Sequence, residues 1–223
     1  MKQITLEEFS KYSLVINCDD ERLNIMKRAF EKAGLPMPTK VPGIVAKALN
    51  NKTRGFRDSK NAESIAMSHL QCINMADALG WPFVVIFEDD AWPRKDAKEC
   101  LEKFLSEIPD DALVFHLGYG KLRKRGEKVL RCGQQAYLVF REAFQIYRDA
   151  FASENSGVYN IDIIDRSYAP LANVLKLVEP NIFAQMEIRG GKAHYTTTYL
   201  CRAYQGTKPE DGWPTYEEVM NNG

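Results

Sequence analysis

The sequence predicts an α/β protein in which helices flank a mostly parallel central sheet. The strongest observation is the segment FVVIF at 83–87, which is apolar at every position, as in a strand buried on both faces of a parallel sheet. The second is the short apolar run SLVIN at 13–17, which is followed by residues at helical spacing. The third is that strand-like and helix-like segments alternate until about Asn155, as is typical of α/β folds.

The first strand is predicted to lead into an amphipathic helix. Asp20 is a suitable N-cap, and Gly34 fits the position just after the helix ends. Apolar residues between them recur at helical spacing, namely Leu23, Met26, Phe30 and Ala33. After a connection over 36–60, a second helix is predicted from about Asn61 to Leu79. The buried strand at 83–87 follows it.

The alternation continues with a helix from about Asp96 to Ser106, a strand at 112–118, and the strand-helix pair QAYLVF and REAFQIYRDAFA. Beyond about Asn155 the periodicity weakens, and from Gly190 aromatic residues stand among polar ones. We therefore predict an irregular C-terminal extension on the substrate side. The length of 223 residues suits a single domain over 1–223.

Composition and charge argue against several classes of protein. The thirty basic and thirty acidic residues cancel, so overall charge gives no indication of a nucleic-acid partner. The N-terminus MKQITLEEFSK is polar, and no apolar run approaches the length that crosses a bilayer. The five cysteines contain no C-x-x-C pair, which favours free thiols. We therefore expect a chain that begins near Met1 and is located in the reducing cytoplasm.

Three adjacent carboxylates follow the buried strand in PFVVIFEDDAWP. Because ligands bind outside the carboxyl ends of strands in open α/β sheets, Glu88, Asp89 and Asp90 are predicted to lie at a site. Residues two apart in an extended segment point the same way, which would direct Glu88 and Asp90 into one crevice and Asp89 away from it. Three adjacent charges are costly to hold without a cation, and carboxylates suit Mg²⁺ or Mn²⁺. We predict such a metal, bound with a diphosphate; the alternative is a solvated turn.

Several motifs recur in a fixed order along the chain. The chain opens with LVINCDDERLNIM, has a Ser-His pair in AMSHLQ, and carries Glu-Asp-Asp in VIFEDD. HLGYG at 116–120, QQAYLV at 134–139, YNIDIID and PNIFAQ at 180–185 follow. This set resembles glycosyltransferase family 25, the lipopolysaccharide-type enzymes with a GT-A fold, over roughly residues 13–186. One departure is AESIAMSH, where the family usually has Gly-Cys just before the Ser-His positions.

The resemblance implies transfer of a sugar, such as galactose, from a uridine diphosphate (UDP) sugar to a saccharide or lipid-linked glycan, as in lipopolysaccharide or surface-glycan synthesis. The nucleotide-sugar-binding part would occupy about 1–120 and the acceptor-side part about 121–223. Asp90 would bind the metal, Glu88 would be a second ligand or contact the ribose or base, and Asp89 would support both. The other residues implied in substrate binding are Asn17, Arg22, Ser68, His69 and Gln185.

Two of these expectations have alternatives. His69 shares the apolar stripe of its helix with Ile65 and Ile73, so a buried structural role stays open beside a role in the site. The basic segment KLRKRGEKVLR at 121–131 is typical of a solvated loop. It could also attract phosphate-bearing glycans or lipid head groups, which would place the protein at the inner face of the membrane.

The resemblance also implies inversion at the sugar carbon, which requires a carboxylate outside the metal site as general base. Asp162 in YNIDIID is the candidate, because the family carries an Asp there. Asp165 and Glu187 are alternatives, and Asp162 could equally cap a helix.

Two other functions stay open. Carboxylates after a strand also serve metal-dependent phosphoryl transfer, and a non-catalytic protein that binds saccharides or nucleotide sugars would keep the same fold. The sequence lacks G-x-G-x-x-G, P-loop and G-x-S-x-G motifs, which argues against dinucleotide binding, P-loop chemistry and a hydrolase elbow.

Overall fold

The computed structural model describes residues 2–44, 59–123, 129–152, 169–189, 192–195 and 212–221. The helices are α1 (Leu6–Lys11), α2 (Asp20–Lys32), α3 (Ser59–Ala78), α4 (Ala97–Ser106), α5 (Phe144–Ala152), α6 (Ala169–Val174) and α7 (Tyr216–Met220). The strands are β1 (Ser13–Asn17), β2 (Thr39–Pro42), β3 (Phe83–Glu88), β4 (Ala91–Pro93), β5 (Val114–Arg123), β6 (Val129–Phe140), β7 (Leu175–Leu177), β8 (Phe183–Arg189) and β9 (Lys192–Tyr195).

The central sheet has six strands in the order β2-β1-β3-β6-β5-β7. The pairs β1–β2, β1–β3 and β5–β7 are parallel, whereas β6 runs antiparallel to both β3 and β5. All strands of this sheet except β6 therefore run in one direction, and their carboxyl ends lie at one edge. The predicted α/β fold with a mostly parallel sheet and flanking helices is confirmed.

Both faces of the central sheet are covered, which explains the continuous apolar runs. Along β1 and β3, alternate side chains enter two separate cores, with Val15, Val85 and Phe87 on one face and Leu14, Val84 and Ile86 on the other. The first core also contains Phe9 of α1, Met26 and Phe30 of α2, and Leu101 and Leu105 of α4. The second contains Cys72, Ile73 and Ala76 of α3, and Phe144 and Tyr147 of α5.

Helix α2 begins one residue earlier than predicted. Its N-cap is Asp19, whose carboxylate accepts hydrogen bonds from the N–H groups of Glu21 at 2.9 Å and Arg22 at 3.2 Å. Asp20, the expected cap, is the first helical residue, and its carboxylate accepts a hydrogen bond from Asn17 Nδ2 at 2.9 Å. Either Asp satisfies the N-cap preference, so sequence alone does not choose between them.

A second sheet has the strand order β4-β8-β9. Its strand β4 follows the acidic motif directly in the sequence. In its register Ala91 pairs with Gln185, which brings β8 beside the residues that follow β3. The predicted irregular extension thus includes two strands and, further on, helix α7, whose N-terminus has a Thr215–Glu218 capping box. Trp213 and Val219 pack with Trp92 and with α2, so this helix is fixed to the body of the protein. None of the described helices combines the length and the apolar composition of a membrane span.

Candidate functional site

The candidate site lies at the carboxyl edge of the central sheet, where β1 ends at Asn17 and β3 ends at Glu88. The parallel register pairs Ile16 with Glu88, so the two strand ends are neighbours. Three further elements contribute side chains, namely Arg22 from α2, His69 from α3 and Gln185 from β8. Most residues that the sequence analysis singled out therefore meet at one edge.

Asp89 connects the end of β3 to the start of α2. Its buried carboxylate accepts hydrogen bonds from the backbone N–H groups of Cys18 at 2.7 Å and Asp19 at 2.9 Å. The Arg22 guanidinium lies 2.9 Å from its other oxygen. Burial raises the pKa of Asp89, although these hydrogen bonds and Arg22 act in the opposite direction. Every oxygen of Asp89 has a partner within the protein, which fits the expectation that it supports its neighbours.

Asp90 is buried as well, and one of its oxygens has no hydrogen-bond partner among the described residues. Oδ2 accepts a hydrogen bond from Gln185 Nε2 at 3.1 Å and lies 3.7 Å from Arg22. Oδ1 is buried and has no hydrogen-bond partner among the described residues. Burial, followed by the charge of Glu88, raises the pKa of Asp90 to about 8. An anionic Asp90 thus needs a further positive charge nearby.

The expected orientation of the three acids is only partly right. Glu88 and Asp89 do point to opposite sides, Glu88 toward α3 and Asp89 toward α2. The Asp90 side chain does not point the same way as that of Glu88, because it lies near Arg22, which also contacts Asp89. The reason is that β3 ends at Glu88 and the next two residues form a turn, so the alternation of an extended strand stops there.

Glu88 is connected to a buried polar chain. Its Oε1 lies 3.3 Å from His69 Nε2, and His69 Nδ1 lies 2.7 Å from the Tyr137 hydroxyl. His69 and Tyr137 are essentially inaccessible, whereas a quarter of the Glu88 side chain is exposed. His69 is thus a buried, hydrogen-bonded residue and also a neighbour of the acidic cluster. The structural role and the position at the site, which the sequence left as alternatives, are compatible.

Two predicted residues make contacts that hold the surrounding chain. The Ser68 hydroxyl donates to the Ser64 carbonyl at 2.7 Å and accepts from the Ile44 N–H at 2.8 Å, which fixes α3 to the chain after β2. Asn17 donates from Nδ2 to Asp20, while its buried Oδ1 has no hydrogen-bond partner among the described residues. Asn17 therefore keeps one acceptor available at the site.

Three residues of the site were not singled out from the sequence. Cys18 is an exposed residue directly after Asn17, and a Cβ added at Gly43 would lie 2.2 Å from its sulfur. Tyr137 was noted as part of an apolar strand and of the motif QQAYLV at 134–139, without a role of its own. Gln135 is buried, its Oε1 has no partner among the described residues, and its neighbour Ala136 pairs with Phe87 of β3. The signals available for Gln135 were its place in the motif QQAYLV and its polar side chain at the start of the predicted apolar strand.

The remaining predictions fall wholly or partly outside the described residues. Asp162 and Asp165 lie outside them. Glu187 belongs to β8, where its backbone pairs with His194. The ends of the basic segment 121–131 are paired strands rather than a loop, with Lys121 opposite Arg131 and Arg123 opposite Val129, and 124–128 lie outside the description.

The donor set at Asp90 fits a cation that is shared with a substrate. Within the described residues there is no group of three or more His, Cys, Asp or Glu side chains placed to hold a metal. Mg²⁺ and Mn²⁺, however, are commonly held by one or two carboxylates together with substrate phosphates. Asp90 offers a buried oxygen without a partner, and Glu88 is close enough to raise the pKa of Asp90. The residues present therefore suit a metal–diphosphate complex better than a metal held by protein alone.

The solved structures that are similar to this chain resemble it in fold only. No protein-family model and no curated protein matches the sequence. Similar solved structures include a glycosyltransferase involved in the glycosylation of the major capsid of PBCV-1, at TM-score 0.48 and 8% identity, covering 78% of this chain and 90% of that one. Another is A197 from STIV, at TM-score 0.46 and 14% identity, covering 85% and 95%.

A third similar structure is the Drosophila β-1,4-galactosyltransferase 7 in complex with manganese, UDP-Gal and xylobiose, at TM-score 0.38 and 14% identity, covering 86% of this chain and 76% of that one. These TM-scores are all below 0.5, so the case for a function depends on the site itself. The comparisons do not support family 25 in particular.

Proposed function

We propose that this protein is a glycosyltransferase that transfers a sugar from a UDP-sugar to a saccharide acceptor with the help of Mn²⁺ or Mg²⁺. The observation that supports the proposal best is the Asp90 carboxylate, which is buried at the carboxyl edge of the sheet and whose Oδ1 has no hydrogen-bond partner among the described residues. Burial and the charge of Glu88 raise the pKa of Asp90 to about 8, so a cation near Oδ1 would favour its anionic form. A nucleoside diphosphate with a divalent cation would supply that charge.

The proposal gives a role to each of the main residues of the candidate site. Asp90 would hold the metal, with Glu88 as a second ligand or as a contact to the ribose. The bound metal would neutralise the diphosphate leaving group. Gln185 donates a hydrogen bond to Asp90 Oδ2, and the other oxygen, Oδ1, would contact the ligand. Asn17 Oδ1 would accept a hydrogen bond from the nucleoside.

Arg22 and Asp89 set the shape of the nucleotide end of the site. The guanidinium lies against both Asp89 and Asp90, and about a third of its side chain is exposed. This exposed part would face the phosphates, while its contact with Asp89 holds the guanidinium in place. Ser68 would act indirectly, since its hydroxyl already joins α3 to the chain after β2.

The acceptor side of the proposal extends beyond the described residues. We propose Asp162 as the general base that takes the proton from the acceptor hydroxyl, with Asp165 and Glu187 as alternatives. The acceptor would be a saccharide or lipid-linked glycan, the donor a hexose such as galactose, and the process surface-glycan or lipopolysaccharide synthesis in the cytoplasm. The basic segment 121–131 would attract an anionic acceptor or the membrane face that carries it.

The experiment is a thermal-shift screen of nucleoside diphosphate sugars, with and without Mn²⁺, on the natural protein, Asp90→Asn and Glu102→Gln. A ligand that binds only the folded state raises the melting temperature with its saturation. We expect a shift that requires both uridine and Mn²⁺, is absent from Asp90→Asn, and is unchanged in Glu102→Gln, whose residue is exposed on α4. A shift by phosphoesters alone would favour phosphoryl transfer. Binding without transfer to any acceptor would favour a non-catalytic binding protein.

A further inference from the structure

A chain of polar contacts extends from the candidate site into the core between the sheet and helices α3 and α5. It begins at Glu88, continues through His69 at 3.3 Å, and reaches the Tyr137 hydroxyl at 2.7 Å. The Tyr137 ring stacks with the rings of His69 and Tyr147, at centroid distances of 5.6 and 5.9 Å and interplanar angles of 24° and 12°. His69, Tyr137 and Tyr147 are fully buried, so their orientations are restricted by packing.

For a neutral His69, donor and acceptor chemistry sets the direction of the hydrogen bonds in this chain, whereas an imidazolium would donate from both ring nitrogens. An ionised Glu88 carboxylate can only accept, so His69 Nε2 must carry the proton that points to it. A neutral imidazole with a proton on Nε2 has a lone pair on Nδ1, and Nδ1 must then accept. The donor to Nδ1 is the Tyr137 hydroxyl, 2.7 Å away. The order is thus Tyr137 O–H to His69 Nδ1, and His69 Nε2–H to Glu88 Oε1.

We propose that Tyr137 is a positioning residue that holds His69 in the Nε2–H tautomer and thereby orients the Glu88 carboxylate toward the donor. The inference rests on the proposed function, because Glu88 is assigned there to the metal–diphosphate complex. Residues that orient a group in contact with a metal or substrate typically change metal affinity or activity by about 10–100-fold when they are removed.

The structure also shows why Tyr, and not only an aromatic ring, stands at position 137. The ring alone would satisfy the stacking on His69 and Tyr147 and would fill the same space in the core. The hydroxyl adds a donor to a strand side chain that belongs to the second, mainly apolar core. A purely structural ring would leave His69 Nδ1 without that partner.

The test compares Tyr137→Phe with the matched control Tyr147→Phe, which removes a hydroxyl from the neighbouring ring of the same stack. The first readout is the tautomer of His69, from the ¹⁵N chemical shifts of histidine-labelled protein; His69→Gln assigns the signal among the three histidines. We expect the Nε2–H form in the natural protein and in Tyr147→Phe. We expect loss of this single form in Tyr137→Phe. An Nδ1–H or doubly protonated ring in the natural protein would overturn the proposal, whatever the variants do.

The second readout is the affinity for Mn²⁺ in the presence of UDP. We expect Tyr137→Phe to lower it by about tenfold or more, and Tyr147→Phe to change it less than about twofold. His69→Gln already interrupts the chain of polar contacts. In that background Tyr137→Phe should not change the Mn²⁺ affinity further. An unchanged Mn²⁺ affinity with an unchanged His69 tautomer would show that Tyr137 only packs. If the natural protein binds neither UDP nor Mn²⁺, the proposed function fails, while the tautomer measurement still decides the role of Tyr137.

Discussion

Arg22 and Asp89 form an ion pair, 2.9 Å between guanidinium and carboxylate, that joins the first turn of α2 to the end of β3. The Asp89 side chain is almost completely buried, whereas a third of the Arg22 side chain reaches solvent. The pair therefore has a structural end, at Asp89, and an accessible end, at Arg22. Two of the adjacent acids thus differ in their contacts: both Asp89 oxygens are paired, whereas Asp90 Oδ1 has no hydrogen-bond partner among the described residues.

The structural role of Asp89 predicts a loss of stability on truncation. Asp89→Ala leaves the N–H groups of Cys18 and Asp19 without their acceptor and Arg22 without its closest partner. We expect the free energy of unfolding to fall by about 2–4 kcal/mol, as for other buried hydrogen-bonded groups that lose a partner. Urea denaturation measures it, with Glu102→Ala on the exposed face of α4 as a control. A loss no larger than that of the control would show that Asp89 does not hold β3 to α2.

Gly118 predicts a second loss of stability, close to the site. A Cβ at this position would lie 2.6 Å from the Phe183 carbonyl oxygen, which belongs to the backbone of β8 and cannot rotate away. Gly118→Ala should therefore displace β8 from β5 and cost about 1–3 kcal/mol, as overpacking usually does.

Because β8 carries Gln185 to Asp90, the same change should weaken binding of UDP and Mn²⁺. Denaturation and titration of one variant measure both effects. If the free energy of unfolding of Gly118→Ala equals that of the natural protein, Gly118 of β5 does not lie against Phe183 of β8.

The cysteines predict a pattern of alkylation. Burial raises the pKa of Cys72 to about 12, so this thiol should stay unmodified by iodoacetamide until the protein unfolds. Cys18 is exposed, but burial of its sulfur and the charge of Asp89 raise its pKa. Since the thiolate is the reactive form, labelling of Cys18 should be slow at neutral pH and should accelerate as the pH rises.

The position of Cys18 beside the proposed nucleotide end adds a further expectation. UDP with Mn²⁺ should slow the labelling of Cys18 and leave that of the half-buried Cys100 on α4 unchanged. Peptide mass spectrometry separates the two sites. Equal labelling of Cys18 with and without the ligands would place the nucleotide elsewhere.

The central strands were predictable from the sequence, because β1 and β3 are buried on both faces and so carry unbroken apolar runs. The acidic motif was predictable as a site because it follows such a strand. Sequence reasoning placed Asn17, Arg22 and His69 near it only through the family resemblance. The pairing of Arg22 with both acids depends on the turn that ends β3, and the length of a strand is poorly determined by its apolar run.

Tyr137 and β8 show what the sequence did not reveal. Tyr137 occupies an apolar strand in which an aromatic ring needs no further explanation, and the contact of its hydroxyl with His69 is visible only in the structure. β8 begins with FAQM, which is apolar enough for a strand but too short to distinguish from irregular structure. Its pairing with β4 is a long-range contact that helps to bring Gln185 to Asp90.

The most direct test of the account is a titration of Mn²⁺ in the presence and absence of UDP, by calorimetry, for the natural protein, Asp90→Asn and Tyr147→Phe. We expect Mn²⁺ to bind weakly alone and much more tightly with UDP, because one or two carboxylates complete their coordination with phosphates. Asp90→Asn should abolish the UDP-dependent part, while Tyr147→Phe should retain it. Equal Mn²⁺ and UDP binding by Asp90→Asn and the natural protein would contradict the assignment of Asp90 and, with it, the proposed donor site.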